Sequence, residues 1–123
     1  MNSNILVVED EAAISRVLVK ILSEAFETYE IEAAFDGQSA IEMIQSKDYA
    51  LVLCDIKMPK MDGVEVLIKA KEIASFTSFI MISGHGDLET AVETMRLGAF
   101  DYISKPPDLN RLLTAARNAL EKK

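Results

Sequence analysis

The sequence predicts an α/β fold, (βα)5: an open, doubly wound sheet of five parallel strands joined by helices. The main observation is that short apolar runs alternate along the chain with segments whose apolar residues recur at helical spacing. The second is that these runs are almost continuously apolar, which is typical of strands covered by helices on both faces. Because five such units are too few for an eight-stranded barrel, the open sheet is the expected arrangement.

The first two units are predicted from the N-terminal third of the chain. Ile5–Val8 is a compact apolar run typical of a buried strand, and an apolar stripe with helical spacing follows it as far as Ala25. Residues 29–35 alternate loosely and predict a second strand. This strand is predicted to end at Asp36-Gly37, and the apolar residues between 40 and 44 predict a short helix.

The remaining three units follow the second helix. Strands are predicted at 50–54, 79–82 and 100–104, and helices at 62–73, 87–97 and 108–120. Each of these helices begins at an aspartate, a residue type that caps helix N-termini by accepting a backbone hydrogen bond. Asp62 also has a glutamate three residues later, the spacing of a capping box, and Glu11 is expected to cap the first helix.

Length and composition restrict the class of protein further. The chain has 123 residues, half of them hydrophobic, which is enough for a single folded domain over residues 1–123. Its net charge of −7 disfavours direct binding to nucleic acids. No apolar run approaches the length of a membrane span, and the N-terminus lacks the pattern of a signal peptide. With a single cysteine, Cys54, the chain cannot form an internal disulfide and is expected to be cytoplasmic.

Polar residues stand at the carboxyl ends of four predicted strands. A parallel sheet brings these ends to one edge, where ligands of doubly wound folds bind. The residues are Glu9, Asp10, Asp55, Ser83 and Lys105. Three carboxylates close together repel one another unless a cation lies among them, and Mg²⁺ or Mn²⁺ prefers such oxygen ligands. Lys105 would suit an anionic group bound to the metal, with a phosphoryl group as the obvious candidate. The alternative is that these acids only cap the helices that follow them.

Four motifs carry a resemblance to a known family. They are VVEDE at 7–11, LVLCDIKMPKMDG at 51–63, MISGHGD at 81–87 and DYISKP at 101–106. With these motifs in this order and at these spacings, the chain resembles the receiver domain of bacterial two-component response regulators over essentially its whole length. It is most similar to receivers of the nitrogen-regulation type, the sigma-54-dependent activators. The resemblance implies a flavodoxin-like sheet with the strand order 2-1-3-4-5.

The resemblance also implies a phosphoacceptor and a metal site. Asp55 would be the nucleophile that accepts the phosphoryl group. Asp10 and Asp55 would bind Mg²⁺ through their carboxylates, Lys57 through its backbone carbonyl, and Glu9 through a water molecule. The physical chemistry agrees, because the attacking carboxylate must be ionised and a bound cation keeps it so.

A conformational switch is implied as well. Ser83 would bind one phosphoryl oxygen and Lys105 another, and Tyr102 would be the aromatic side chain whose rotamer follows the state of the site. The peptide bond before Pro106 would be cis. The moved surface, to which a partner or a second copy in a homodimer would bind, would comprise residues 88–97, 100–104 and 109–120.

The implied function is a phosphorylation-controlled switch. A sensor histidine kinase would supply the phosphoryl group, and an attached or partner output domain, expected to act in transcription, would be controlled. Two alternatives remain: a Mg²⁺-dependent phosphohydrolase with an aspartate nucleophile, and a non-phosphorylated pseudo-receiver that binds proteins. The hydrolase class would have a second acid two residues after its nucleophile, where this chain has Lys57, and the intact set of site residues argues against a pseudo-receiver. The chain is expected to transfer and hydrolyse the phosphoryl group on itself only, and not to be an enzyme for an outside substrate.

Overall fold

The computed structural model describes residues 3–84 and 88–121, and these form the five βα units that the sequence predicts. Strands and helices alternate along the chain. They are β1 Asn4–Val8, α1 Ala12–Ala25, β2 Glu30–Ala34, α2 Gly37–Ser46, β3 Leu51–Asp55, α3 Gly63–Ile73, β4 Ser78–Ser83, α4 Leu88–Arg96, β5 Asp101–Ser104 and α5 Leu109–Glu121. The strands are parallel and lie in the order β2-β1-β3-β4-β5, which confirms the predicted fold class and strand order.

The central strand β3 determines where the site lies. It pairs with β1 on one side, where Val8 is opposite Cys54, and with β4 on the other, where Asp55 is opposite Ile82. Every residue of β3 is buried. This register aligns the carboxyl ends of β1, β3 and β4 at one edge of the sheet, so the residues that follow β1 lie beside Asp55.

Helices cover both faces of the sheet, as the nearly continuous apolar strands predict. On one face α2, α3 and α4 enclose a core that includes Val52 and Phe79. On the other face α1 and α5 pack over Leu53 and Ile80. Burying a side chain of this size contributes roughly 1.5–3 kcal/mol relative to leaving it exposed. The two cores therefore hold the strand ends in a fixed arrangement.

Helix α2 is longer than the sequence pattern indicates. The apolar residues predict a helix over 40–44, whereas α2 spans Gly37–Ser46. The extension at its start has a local cause, because the Asp36 carboxylate accepts a hydrogen bond from the Ser39 N–H at 2.7 Å. A cap satisfies one of the backbone N–H groups that the first turn leaves without a helical partner.

The predicted caps of α3 and α5 are confirmed. Asp62 accepts a hydrogen bond from the Glu65 N–H, and the Glu65 side chain accepts one from the Asp62 N–H, which completes the capping box. The Asp108 carboxylate accepts a hydrogen bond from the Arg111 N–H at 2.9 Å. The predicted cap at Asp87 lies outside the described residues.

Of the helices in the described part of the chain, none is long and apolar enough to cross a bilayer.

Candidate functional site

The structure brings the residues predicted at the strand ends to one edge of the sheet. Asp55 and Ser83 end β3 and β4, Glu9 and Asp10 follow β1, and Lys105 follows β5. One carboxylate oxygen each from Glu9, Asp10 and Asp55 lies within 4.8 Å of the other two. The Lys105 Nζ lies 3.0 Å from Asp55 Oδ2 and 3.5 Å from Glu9 Oε1. We call these three carboxylates together with the Lys105 ammonium group the acidic cluster.

The acidic cluster is buried at its base and open on one side. Glu9 is 1% exposed and Asp55 is 3% exposed. Asp10, in contrast, is exposed, and the Lys105 side chain is 27% exposed. A group that enters from solvent therefore meets Asp10 and Lys105 before it reaches the Asp55 carboxylate.

Glu9 is held in place by the start of α1. Its Oε2 accepts a hydrogen bond from the Glu11 N–H at 3.1 Å. The prediction that the Glu11 side chain caps α1 is wrong, because Glu11 precedes the helix but makes no side-chain cap hydrogen bond. Among the described residues, Glu9 Oε1 has no hydrogen-bond partner although it is buried. The Lys105 ammonium group, 3.5 Å away, offsets part of its negative charge, but burying an acceptor without a hydrogen bond is still costly.

The titration of the cluster reflects its burial. Burial raises the pKa of the Glu9 carboxyl, although the hydrogen bond from the Glu11 N–H opposes the shift. Burial also raises the pKa of Asp55, against the hydrogen bond and positive charge of Lys105. For Lys105 burial acts to lower the pKa, but the hydrogen bond to Asp55 and the negative charges of Asp55 and Glu9 outweigh it and raise the pKa. Lys105 alone therefore does not offset the cost of ionising both buried carboxyls.

The acidic cluster fits a hard divalent cation. Its donors are carboxylate oxygens, the ligands that Mg²⁺ and Mn²⁺ prefer, and they lie close enough together to share one ion. A second observation in favour is that the buried Glu9 Oε1 accepts no hydrogen bond from the described residues, although the Lys105 ammonium group lies 3.5 Å away. The fourth predicted ligand, the Lys57 backbone carbonyl, stays a prediction. The hydrogen bond from the Lys57 backbone to Asp55 acts to lower the pKa of that carboxyl.

Ser83 and Lys105 are joined through the main chain. Ser83 is 3% exposed, and its carbonyl accepts a hydrogen bond from the Lys105 N–H at 2.8 Å. The peptide bond between Lys105 and Pro106 is cis, as the resemblance implies. The hydrogen bond between Lys105 and Ser83 holds the end of β4 next to the residue after β5.

Tyr102 lies in the edge strand β5, opposite Met81 of β4. Its side chain is half-buried and packs against the core on the face that carries α2, α3 and α4. The same strand ends at Ser104, which is opposite Ser83. The predicted switch residue is thus connected to the site through two residues of one strand.

Gly63 is a residue of the site that the sequence interpretation missed. A Cβ at this position would lie 2.2 Å from the Asp55 carbonyl oxygen and 2.8 Å from the Ile56 Cα. The Gly63 N–H donates a hydrogen bond to the Ile56 carbonyl at 2.7 Å. The start of α3 therefore packs directly on the backbone of the strand end, and only glycine permits that approach. The available signal is the Asp62-Gly63 pair, whose local pattern predicts only the start of a helix.

An open cavity of about 450 Å³ adjoins the loop between β3 and α3. Lys57 and Asp62 contribute polar groups to it, and Thr90 closes it from α4. Because Lys57 lies two residues after Asp55, the cavity begins close to the carboxyl end of β3.

Comparisons with known proteins agree on one family. The model of the response regulator receiver domain matches residues 5–117. The regulatory protein AtoC of Escherichia coli is 35% identical over 119 residues, which cover 97% of this chain and 25% of AtoC. The transcriptional regulatory protein SrrA of Staphylococcus aureus is 40% identical over 106 residues, which cover 86% of this chain and 43% of SrrA. This chain therefore spans about a quarter of the length of AtoC and less than half of SrrA.

The structural comparison gives the same result. The receiver domain of NtrX from Brucella abortus superposes with a TM-score of 0.90 at 40% sequence identity. The superposition covers 97% of this chain and 99% of that domain.

Proposed function

Because the chain belongs to the response regulator receiver domain family, we propose that it accepts a phosphoryl group on the Asp55 carboxylate in a Mg²⁺-dependent reaction. One observation carries the proposal. Asp55 is 3% exposed at the end of β3, yet it lies 3.0 Å from an ammonium group and within 4.8 Å of two further carboxylates. A nucleophilic carboxylate in this setting is surrounded by the groups that neutralise charge on a transferring phosphoryl group.

The proposed step is a displacement at phosphorus. An Asp55 carboxylate oxygen forms a bond to phosphorus while the phosphorus–nitrogen bond of a phosphohistidine donor breaks, and the nitrogen keeps the electron pair. Lys105 offsets negative charge on one phosphoryl oxygen, and the Ser83 hydroxyl donates a hydrogen bond to another. Water later attacks the acyl phosphate, which restores the carboxylate and releases inorganic phosphate. The chain therefore acts on its own aspartate and is not an enzyme that turns over an outside substrate.

Glu9, Asp10 and Asp55 would hold the divalent cation, with the Lys57 backbone carbonyl as a further ligand. When bound, the cation would supply charge neutralisation for the incoming phosphoryl group and keep Asp55 ionised. Glu9 would act through a water molecule. The support is the hard-oxygen donor set and the buried Glu9 Oε1, which accepts no hydrogen bond from the described residues.

The proposed output surface comprises residues 88–97, 100–104 and 109–120. Three apolar side chains on α4 support it, because Leu88, Val92 and Met95 are 64%, 48% and 39% exposed and share one side of the helix. In the phosphorylated state Ser83 would move toward the phosphoryl group and Tyr102 would turn into the vacated space. A phosphoryl group shifts this equilibrium only by its different contacts with the two states. The occupant of the surface would be an output domain or a second copy of the chain.

The partners follow from the same function. A sensor histidine kinase in the cytoplasm would be the donor, and residues 1–123 would form one receiver unit that controls an attached or partner output domain. Transcription is the proposed output because AtoC and SrrA are named as a regulatory protein and a transcriptional regulatory protein. The net charge of −7 makes direct nucleic acid binding by this chain unfavourable.

Intact-mass spectrometry after incubation with acetyl phosphate and Mg²⁺ tests the proposal. The wild-type chain should gain one phosphoryl group, and EDTA should prevent the gain. Asp55→Asn should not be labelled because an amide is a poor nucleophile. Asp48→Asn, which removes an exposed carboxylate outside the acidic cluster, should label like the wild type. Labelling of Asp55→Asn at the wild-type level would overturn the assignment.

A further inference from the structure

The side chains of Asp101 and Arg111 enclose the backbone of Tyr102. The two terminal nitrogens of Arg111 donate to the two carboxylate oxygens of Asp101, each at 2.9 Å. Arg111 Nη2 also donates to the Tyr102 carbonyl at 3.0 Å, and the Tyr102 N–H donates to Asp101 Oδ1 at 2.8 Å. Both main-chain polar groups of Tyr102 are therefore bonded to this one ion pair.

The ion pair occupies the outer edge of the sheet. β5 is the last strand in the sheet order, and an edge strand presents N–H and C=O groups that no neighbouring strand can pair. Arg111 belongs to α5, which packs on the face that carries Ile80 and Leu53. The Tyr102 side chain packs on the opposite face. Arg111 thus bonds to the backbone of Tyr102 at the sheet edge, whereas the Tyr102 ring packs on the opposite face of the sheet.

The chain on either side of Tyr102 is held by hydrogen bonds to the site and to the start of α5. The Arg111 N–H donates to the cap residue Asp108 at 2.9 Å, which fixes the start of α5. The Lys105 N–H donates to the Ser83 carbonyl at 2.8 Å, and the Lys105 Nζ reaches Asp55. Tyr102 lies between these anchors, so its backbone is restrained both from the site and from α5.

We propose that Arg111 is a positioning residue for Tyr102. The bidentate pair with Asp101 restrains the backbone of residue 102. Phosphorylation at the site would then alter the rotamer of the Tyr102 ring without displacing β5. This inference rests on the proposed role of Tyr102 as the switch. Without the pair, the backbone at residue 102 samples more arrangements, and the ring occupies several positions before any phosphoryl group is present.

The test uses the full chain with its three tyrosines replaced by 3-fluorotyrosine. Fluorine NMR then gives separate signals for Tyr29, Tyr49 and Tyr102, assigned by single substitutions to Phe. Tyr49 is an internal reference, because it is 2% exposed and its hydroxyl is bonded to Glu32. Amide hydrogen exchange of Tyr102 is measured on the unlabelled protein.

Arg111→Lys is the decisive variant. It keeps the positive charge, but an ammonium group cannot supply the planar fork and the third bond together. The Tyr102 fluorine signal should shift or broaden, and the Tyr102 amide should exchange roughly three- to tenfold faster, the factor expected for one lost hydrogen bond. The Tyr49 signal should not change. Arg117→Lys, a matched exchange at an exposed arginine of the same helix, should leave all signals and exchange rates at their wild-type values.

Two results would overturn the inference. One is an unchanged Tyr102 signal and amide rate in Arg111→Lys. The other is an equal acceleration of exchange at Tyr102 and at buried β3 amides such as Leu53, because a residue that only stabilises the whole fold would act on both alike. These measurements use unphosphorylated protein, so they stand even if acetyl phosphate fails to label Asp55. Failure of labelling would refute the proposed function separately.

Discussion

Replacing Asp55 with Asn is expected to stabilise the metal-free protein at neutral pH. The attraction between Asp55 and Lys105 at 3.0 Å is about 5.5 kcal/mol at an effective dielectric constant of about 20. The repulsion between Asp55 and Glu9, at the 4.8 Å limit of their separation, is about 3.5 kcal/mol on the same scale. Asp10 adds a smaller repulsion because it is exposed to solvent. The two pairwise energies therefore leave a net attraction of about 2 kcal/mol, which the repulsion from Asp10 reduces further.

Burial of the charge then decides the sign. Burial is the largest cause of the raised pKa of Asp55. An amide of the same shape carries no charge and therefore avoids the free-energy cost of burying one. Lys105 is not left unpaired in the variant, because Glu9 Oε1 lies 3.5 Å from its Nζ. The expected gain is about 1–2 kcal/mol in the free energy of unfolding, at the lower end of what neutralising buried ion clusters produces. For a domain of this size each kcal/mol corresponds to about 3–6 °C in Tm.

The gain should depend on pH in one direction. Because the pKa of Asp55 is higher in the folded state than in the unfolded state, the folded wild type binds the proton more tightly. Its stability relative to the variant is greatest below the unfolded carboxyl pKa, about 3.9, and is lost as pH rises through the raised folded value. The advantage of Asp55→Asn should therefore be absent in acid and complete at neutral pH.

Urea unfolding followed by circular dichroism, with EDTA present, measures the difference at a series of pH values. Asp48→Asn serves as the control and should stay within about 0.5 kcal/mol of the wild type throughout. Adding millimolar Mg²⁺ should stabilise the wild type by mass action and stabilise Asp55→Asn less, since the substitution removes a proposed ligand. A variant that is less stable than the wild type in EDTA at neutral pH, or a difference independent of pH, would refute this electrostatic reasoning.

Three further changes test the packing around the site and the hydrogen bonds of the second strand. Gly63→Ala should cost about 2–3 kcal/mol and slow phosphoryl labelling, because the added Cβ would clash with the Asp55 carbonyl; thermal unfolding and intact mass report the two effects. Tyr49→Phe should lower the free energy of unfolding by about 0.5–1.5 kcal/mol in urea titrations, since the buried hydroxyl donates to Glu32. The pKa of Glu32 is lowered, first by the hydrogen bond from Lys47 and then by that from Tyr49, so its stabilisation exists above the unfolded carboxyl pKa and is lost as pH falls through the folded value. Glu32→Gln should therefore weaken the loss of stability in acid, and an unchanged acid-unfolding curve would contradict this assignment.

The sequence was sufficient for the fold and for the membership of the acidic cluster. β1, β3 and β4 are nearly continuous apolar runs because helices cover both of their faces. The residue after each run must then lie at the carboxyl edge, since parallel strands all point the same way. That rule places Asp55 and Ser83 at the same edge of the sheet without knowledge of any contact.

Local patterns were insufficient where a neighbouring element supplies the partner. The sequence favours Glu11 as the cap of α1, but the carboxylate that approaches this helix start is that of Glu9. Gly63 looks like an ordinary residue of a helix start, and only the approach of α3 to the Asp55 carbonyl shows why a side chain cannot fit there. In both cases the deciding contact depends on how a helix packs on the sheet edge.

The tertiary structure alone decided the electrostatics of the site and the hydrogen bonds that hold the backbone of β5. Glu9 and Asp10 are adjacent in sequence, yet Glu9 is buried and Asp10 is exposed, so burial raises the pKa of Glu9. Arg111 and Asp101 are ten residues apart on different elements and meet because α5 packs beside the edge strand. Apolar periodicity along the chain reports which face of each element is covered. Burial and hydrogen-bond partners depend on several elements packing at once, and no local stretch of sequence encodes that.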